Sequence, residues 1–177
     1  HYSEVLGISV SAVSQYINIL EESHILKKVP PFVGGKRAEI TSMPKIYFLD
    51  NGLRNFLFGG FAPFEQRTDK GKIMENFIFT ELSKYINPLL DRIHFWRSKS
   101  QAEVDFVVIK EDKMIAIEVK ATALKKVKIS RSLRSFIQSY KPDKTIVINT
   151  SLREKATIDQ HAIYFALPQD LTDMLKI

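Results

Sequence analysis

The sequence lacks cysteine, and its few histidines are scattered along the chain (His1, His24, His94, His161). Disulfide frameworks, cysteine-based zinc sites and thiol catalysis are therefore excluded. No run approaches the ~18 consecutive apolar residues of a membrane span, and the start lacks a basic-then-apolar secretory pattern. We expect a cytoplasmic protein without a membrane segment, in which any metal is a hard ion held by oxygen atoms.

The composition suits a folded chain with a positive charge. The 177 residues are 45% hydrophobic and 26% charged, which predicts one or two compact domains. The net charge is +6. Seven basic residues and no acidic one lie between Glu118 and Asp143, a segment that we call the basic segment. This pattern is typical of a surface that attracts nucleic acid, and also of a solvated helix face. The first residue is His rather than Met, as expected for a piece of a longer protein.

The N-terminal region has helix-turn-helix punctuation: a short helical stretch, a turn at Gly7, and a second helix from about Ser11, capped by Ser9 or Ser11. In the second helix, apolar residues at helical spacing predict a core-facing side (Val13, Tyr16, Ile17, Leu20). The opposite side carries no basic residue (Ser14, Gln15, Asn18, Glu21, Glu22). The pattern therefore favours a structural or protein-binding helix over one that reads a DNA sequence.

Residues 25–49 have the pattern of a β-wing. Two apolar runs, 25–29 and 45–49, flank a Pro30-Pro31 break and a tip at 34–37. We therefore predict a winged helix-turn-helix domain over residues 1–60. The tip is not a phosphate-binding loop, because the G-x-x-x-x-G-K-[ST] spacing is missing and Arg37 stands where a hydroxyl is needed. No nucleotide site is expected in this chain.

Residues 61–177 predict a second domain of the α/β class, after a linker at 59–64. A helix over about 70–90 is expected to bury Ile73, Phe77, Leu82 and Ile86. Strands are expected near 93–97, 103–109, 114–120, 145–149 and 162–165, with a helix near 130–140 and a terminal helix after Pro168. Gln138 and Tyr140 on the helix near 130–140 are expected to be structural.

The sharpest prediction concerns the hairpin 103–120. A turn centred between Glu111 and Asp112 places Asp105 opposite Glu118, and Glu103 opposite Lys120. With side chains alternating, these four charges share one face, whose other positions are apolar (Val107, Ile109, Met114, Ala116). The other face is apolar throughout (Val104, Phe106, Val108, Ile115, Ile117, Val119). We therefore expect both faces to be covered and the charges to be sheltered.

Two carboxylates facing each other repel unless a positive group lies between them. One interpretation is a Mg²⁺ or Mn²⁺ ion, which prefers oxygen ligands, stabilises a phosphoryl transition state and activates water. Lys120 would then orient water or bind the scissile phosphate. The other interpretation is a polar cluster bridged by Lys120, without a metal.

Several motifs carry a family resemblance. Glu75 on a helix, then Asp105, then Glu118-Val119-Lys120 among apolar strands resemble the PD-(D/E)XK nuclease superfamily, although the usual Pro before the first Asp is absent. More narrowly, the chain resembles the C-terminal region of a group of prokaryotic AAA+-type ATPases of unknown function. This resemblance lies in the winged helix and in four phrases: 44–53, 74–76, 103–106 and 117–120.

The resemblance implies a restriction-endonuclease-like αβββαβ core and a set of roles. Asp105 and Glu118 would be metal ligands together with the Val119 carbonyl, Lys120 the catalytic lysine, and Glu75 an auxiliary carboxylate near the metal. Glu75 is alternatively an ordinary exposed helix residue. Glu103 lies outside the superfamily pattern and is expected to pair with Lys120.

The favoured hypothesis is a Mg²⁺- or Mn²⁺-dependent DNA phosphodiesterase domain, associated with an upstream ATPase domain of the same polypeptide. DNA is expected to contact basic residues of the basic segment and two residues at the end of the strand near 93–97 (Arg97, Lys99, Lys125, Lys126, Lys128, Arg131, Arg134). One alternative is a catalytically inactive nuclease-fold module that binds DNA or protein. A second is a winged-helix transcriptional regulator, which the acidic helix face disfavours.

Overall fold

The computed structural model describes residue 7, residues 9–35 and residues 43–176. Its helices are α1 (Val10–Glu22), α2 (Asn51–Leu57), α3 (Lys70–Tyr85), α4 (Arg131–Tyr140) and α5 (Leu171–Met174). Its strands are β1 (Leu26–Val29), β2 (Lys45–Phe48), β3 (Arg92–Arg97), β4 (Glu103–Lys110), β5 (Lys113–Val119), β6 (Lys144–Ile148), β7 (Glu154–Ile158) and β8 (His161–Ala166). The predicted first helical stretch and Lys36-Arg37 of the predicted tip lie outside the described residues.

Helix α1 begins where a cap was predicted, but it does not bury the predicted face. The Ser9 hydroxyl accepts a hydrogen bond from the Ala12 N–H at 3.1 Å, as an N-cap does. Tyr16 is 60% exposed and Leu20 is 36% exposed, whereas Val13 and Ile17 are half-buried. The prediction of a core-facing stripe is therefore wrong for Tyr16 and Leu20, because apolar spacing defines a face without supplying a partner for it.

Strands β1 and β2 form an antiparallel pair, as the predicted wing requires, with Leu26 opposite Phe48. Strand β2 lies against α3, and the contact includes a two-way link through one side chain. The Phe48 N–H donates to Asn76 Oδ1 at 2.8 Å, and Asn76 Nδ2 donates to the Phe48 carbonyl at 3.0 Å. This strand pair is thus fastened to the C-terminal part of the chain.

Six further strands form a mixed sheet in the order β3-β4-β5-β6-β8-β7. Strands β5, β6 and β8 are parallel, and the remaining neighbours are antiparallel. The predicted mixed α/β class is confirmed, and α3-β3-β4-β5-α4-β6 follows the predicted αβββαβ order. Helix α2 and strand β7 were not predicted, because elements of seven and five residues give only a weak periodic signal.

Helices cover the two faces of this sheet with separate apolar clusters. One cluster joins α3 and α5 to Phe106, Val108, Ile115 and Ile117. The other joins α4 to Val104, Val107, Ala116 and Trp96. On α3 the buried apolar residues are Met74, Ile78, Phe79 and Leu82. The stripe predicted there is therefore correct only for Leu82, because Ile73, Phe77 and Ile86 are half-buried.

The ends of helices α3 and α4 lie as follows. Helix α3 ends at Tyr85, short of the predicted 90. Helix α4 is capped by the Ser130 hydroxyl, which accepts from the Leu133 N–H at 3.0 Å, and ends at Lys141 in a left-handed conformation. Tyr140 packs edge-on against Phe32 and tilted against Phe136, in agreement with its predicted structural role.

Within the described residues, no helix combines the length and the apolar content that crossing a bilayer requires.

Candidate metal centre

The β4–β5 hairpin has the predicted register. Glu111 and Asp112 both have positive φ (50° and 60°), as the two central residues of a type I′ turn do. The ladder runs from Lys110 opposite Lys113 to Phe106 opposite Ile117. The turn thus brings Asp105 and Glu118 to the same end of the hairpin.

A β-bulge in β4 alters which way the side chains near that end point. His94 of β3 pairs with Val107, but Trp96 pairs with Val104, so β4 contains one residue more than β3 over this interval. As a result, Val104 and Val107 both pack on the α4 side of the sheet, whereas Phe106 packs on the α3 side. Alternation is broken between Val104 and Phe106, at Asp105. Bulges of this kind commonly re-aim a side chain next to a functional site.

Three carboxylates meet beside the bulge, and we call them the acidic cluster: Glu75, Glu103 and Asp105. One oxygen of each lies within 4.8 Å of the others. Glu75 is on α3, and the other two are on β4. Asp105 Oδ2 also accepts a hydrogen bond from the Val119 N–H at 2.7 Å, which links the cluster to the end of β5.

Two side chains of β2, Lys45 and Tyr47, contact the acidic cluster. Lys45 Nζ lies 2.7 Å from Glu75 Oε1 and 2.5 Å from Glu103 Oε1. The Tyr47 hydroxyl donates to the same Glu75 oxygen at 2.6 Å. Tyr47 is buried, and its ring stacks on Phe79 with centroids 4.6 Å apart. Glu75 is therefore a buried carboxylate with two donors on one oxygen, and not an exposed helix residue.

The pKa values within the acidic cluster differ in direction. Burial, and then the charge of Glu75, raise the pKa of Asp105 from 3.8 to about 7. Burial alone would raise the pKa of Glu75, but the charge and hydrogen bond of Lys45 outweigh it, so the pKa is lowered. For Lys45, burial opposes the charged form, yet the Glu75 charge and the Glu103 hydrogen bond raise the pKa. Asp105 is thus the carboxylate whose charge is least compensated.

Glu118 and Lys120 form a second charged group, at the end of β5. Glu118 Oε1 lies 2.5 Å from Lys120 Nζ, and Glu118 Oε2 accepts from the Ser130 hydroxyl at 2.7 Å. The Glu118 side chain is 5% exposed and that of Lys120 is 41% exposed. Because Ser130 caps α4, this group faces the amino end of α4. The negative charge of Glu118 also contributes to the raised pKa of Asp105.

The structure separates the four charges that were expected on one face. Glu103 pairs with Lys45 and with Arg97, whose Nε lies 2.7 Å from Glu103 Oε2, so the predicted Glu103–Lys120 pair is wrong. Lys120 pairs with Glu118 instead. The bulge explains the difference, because it removes the strict alternation on which the shared face was predicted.

The residues predicted to contact nucleic acid divide into two groups. Arg97 is half-buried by its pairing with Glu103 and by its position over the Phe95 ring, 5.7 Å from the centroid. The others are exposed, and none of them is in an ion pair within the described part of the chain (Lys99, Lys125, Lys126, Lys128, Arg131, Arg134). Most lie in the loop between β5 and α4 or in the first turns of α4, next to Lys120.

Sequence reasoning missed Lys45 and Tyr47. A signal existed, because the two residues are spaced by two on a predicted strand and so point to the same side. Nothing in the sequence indicated that this side faces Glu75. The contact joins positions 30 residues apart through packing of β2 on α3.

The fold and the site define a mixed α/β domain with a buried carboxylate cluster at one end of its sheet. Residues 70–169 match the family described as a domain of unknown function, DUF4143, and the chain belongs to this family. Domains of this family are typically found at the C-terminus of AAA-type ATPase proteins. Residues 2–63 match a second domain of unknown function, DUF8612.

Two mycobacterial proteins resemble the chain. They are the uncharacterized protein Mb2031c of Mycobacterium bovis and the uncharacterized protein Rv2008c of Mycobacterium tuberculosis, each 26% identical over 132 residues. The matched part is 73% of this chain and 29% of each relative. The chain thus spans less than a third of the length of these relatives.

Proposed function

We propose that the C-terminal part of this chain is a divalent-metal-dependent phosphodiesterase domain of the PD-(D/E)XK type that acts on DNA. The observation that carries the proposal is the acidic cluster, whose three carboxylates come within 4.8 Å of one another. The pKa of Asp105, raised to about 7, is the second support. Carboxylates forced together against their mutual repulsion are a typical binding site for a hard cation.

The donor set fits Mg²⁺ or Mn²⁺, which prefer oxygen ligands. Asp105 and Glu75 would hold the ion, with Glu103 as the third donor and Glu118 nearby. When bound, the ion would supply positive charge to a phosphoryl transition state and activate water. The Lys120 side chain, 41% exposed and tethered by Glu118, would bind and orient the scissile phosphate. In this proposal Lys120 and Asp105 act on the same phosphate from adjoining strands.

The basic segment supports a polyanionic substrate. Its exposed residues Lys125, Lys126, Lys128, Arg131 and Arg134 follow Lys120 in the chain and have no acidic partner among the described residues. Contacts of this kind bind phosphates without reading sequence. We further propose that the domain works in the cytoplasm, alongside an upstream ATPase domain of the same polypeptide, in line with the family context.

A second candidate function is a non-catalytic module that binds DNA or protein. The observation that favours it is Lys45, whose ammonium group already forms ion pairs with two carboxylates of the acidic cluster. A permanently neutralised cluster would hold the fold together without chemistry.

Cleavage assays on single-stranded, duplex and branched DNA, with Mn²⁺ or EDTA, test these two functions. We expect Mn²⁺-dependent cleavage that falls roughly 100-fold or more in Asp105→Asn and in Glu118→Gln, since even outer-shell changes cost up to that much at metal sites. DNA binding should persist in both variants. Glu111→Gln is the control, because it removes an exposed carboxylate at the far end of the same hairpin. DNA binding without cleavage by the wild type and all variants would contradict the phosphodiesterase proposal and support the non-catalytic module.

A further inference from the structure

Lys45 has the position and the bonds of a cation that belongs to the acidic cluster. Its side chain is 15% exposed, and its ammonium group contacts oxygens from two different elements, Glu75 on α3 and Glu103 on β4. A buried ammonium group is costly unless such partners compensate it. These contacts therefore account for why a lysine is tolerated at this position.

A second lysine near Glu75 provides the contrast. Lys72 Nζ lies 3.5 Å from Glu75 Oε2, and the Lys72 side chain is 74% exposed. A contact at that distance from an exposed, flexible lysine is screened by water and salt. Of the two lysines beside Glu75, Lys45 is thus the one that neutralises the cluster from within.

A divalent ion bound by the acidic cluster would draw on the same carboxylates as Lys45. Glu75 Oε1 is already shared between Lys45 and Tyr47, and Glu103 Oε1 is bonded to Lys45. An ion held by Glu75 and Glu103 would lie close to the Lys45 ammonium group, and the two positive charges would repel each other. Binding of the ion and the contacts of Lys45 are therefore antagonistic at this site.

The exchange can be made by the lysine side chain alone. The backbone of β2 is held to α3 by the two hydrogen bonds between Phe48 and Asn76, and Tyr47 stacks on Phe79. By contrast, the four-carbon stem of a lysine has rotatable bonds and a head group that solvent accepts. Withdrawal of Lys45 thus leaves the strand in place.

We infer that Lys45 is a tethered competitor that sets the affinity of the acidic cluster for divalent cations. This inference rests on the proposed metal site and names the residue of β2 that regulates it. A site that accepts the ion only when Lys45 is withdrawn has its apparent affinity reduced by the fraction of molecules in that state. The strand pair β1–β2 would in this way control the chemistry of the other sheet.

Calorimetric titration with Mn²⁺ tests the inference in four proteins: the wild type, Lys45→Met, Lys45→Arg and Lys72→Met. We expect Lys45→Met to bind Mn²⁺ at least about tenfold more tightly than the wild type, as if the competent fraction rose from a tenth or less to all molecules. Lys45→Arg keeps the charge and should stay close to the wild type. Lys72→Met is the matched control and should change the affinity less than about twofold.

Melting temperatures with and without Mn²⁺ guard against a folding defect. Lys45→Met should melt at a lower temperature than the wild type in EDTA, and Mn²⁺ should raise its melting temperature more than that of the wild type. A Lys45→Met protein that stays unfolded in Mn²⁺ would overturn the inference, since the ion would have failed to replace the lysine.

The remaining outcomes separate this inference from the proposed function. Equal saturable binding by the wild type and Lys45→Met would overturn the inference and leave the phosphodiesterase proposal standing. Tighter binding by Lys45→Met without DNA cleavage would support the inference and count against the phosphodiesterase. No saturable binding in any of the four proteins would remove the metal site, and both proposals with it.

Discussion

Two charged groups lie at the same end of the hairpin, and they differ in how the chain builds them. The acidic cluster joins α3 and β4 with Lys45 and Tyr47 of β2, and its members are buried or half-buried. The group of Glu118, Lys120 and Ser130 comes from one stretch of chain, with its lysine 41% exposed. Contacts between distant segments thus bury like charges together, whereas the local group keeps its lysine accessible to solvent.

The largest expected difference between the two groups is in stability. Glu75→Ala would leave the ammonium of Lys45 and the buried hydroxyl of Tyr47 with fewer partners, at a cost of about 3–5 kcal/mol in the free energy of unfolding. Glu118→Ala should cost only about 1 kcal/mol, because Lys120 can turn to solvent. Urea unfolding of both variants in EDTA measures the difference. Equal losses would show that the two groups are energetically alike.

A second difference is in pH dependence. The folded protein holds a proton on Asp105 up to a pKa of about 7, against 3.8 ordinarily, so this residue favours folding below about pH 4 and loses that contribution as pH rises to about 7. The rise corresponds to at most roughly 4 kcal/mol. Asp105→Asn should therefore be more stable than the wild type at pH 8 in EDTA, and the gap should close toward pH 4. The test is thermal unfolding across this range.

A constant gap between wild type and Asp105→Asn at all pH values would contradict the assignment of the raised pKa to Asp105. Glu118→Gln serves as the comparison from the other charged group. Added Mn²⁺ should reverse the order of the wild type and Asp105→Asn at pH 8, because only the wild type keeps all three carboxylates for the ion.

The smallest expected effects come from the hydroxyl groups. Tyr47→Phe removes a buried hydrogen bond of 2.6 Å to a charged carboxylate, which should cost about 1.5–3 kcal/mol. Ser130→Ala removes the cap of α4 and one bond to Glu118, for about 1 kcal/mol. Urea unfolding should rank them in that order. The reverse ranking would mean that water reaches the acidic cluster more readily than the burial of its side chains indicates.

The parts of the fold that the sequence predicted are governed by near neighbours. The helix over 131–140, the start of α1 after Ser9 and the turn at Glu111-Asp112 each depend on a few adjacent residues. The turn sets the register of β4 against β5, which is why the approach of Asp105 and Glu118 to one end of the hairpin could be predicted. The failures were at α1, where Tyr16 and Leu20 are exposed, and along α3, where only Leu82 of the predicted stripe is buried.

The sequence by itself determined the α/β class and the register that brings Asp105 and Glu118 to one end of the hairpin. Only the tertiary structure decided how those charges are partnered. The bulge at Asp105 arises from the pairing of β4 with β3, and Lys45 reaches Glu75 across 30 residues of chain through the packing of β2 on α3. Local patterns encode period and turns, whereas contacts between distant segments depend on which faces pack together, and that is settled only when the whole core forms.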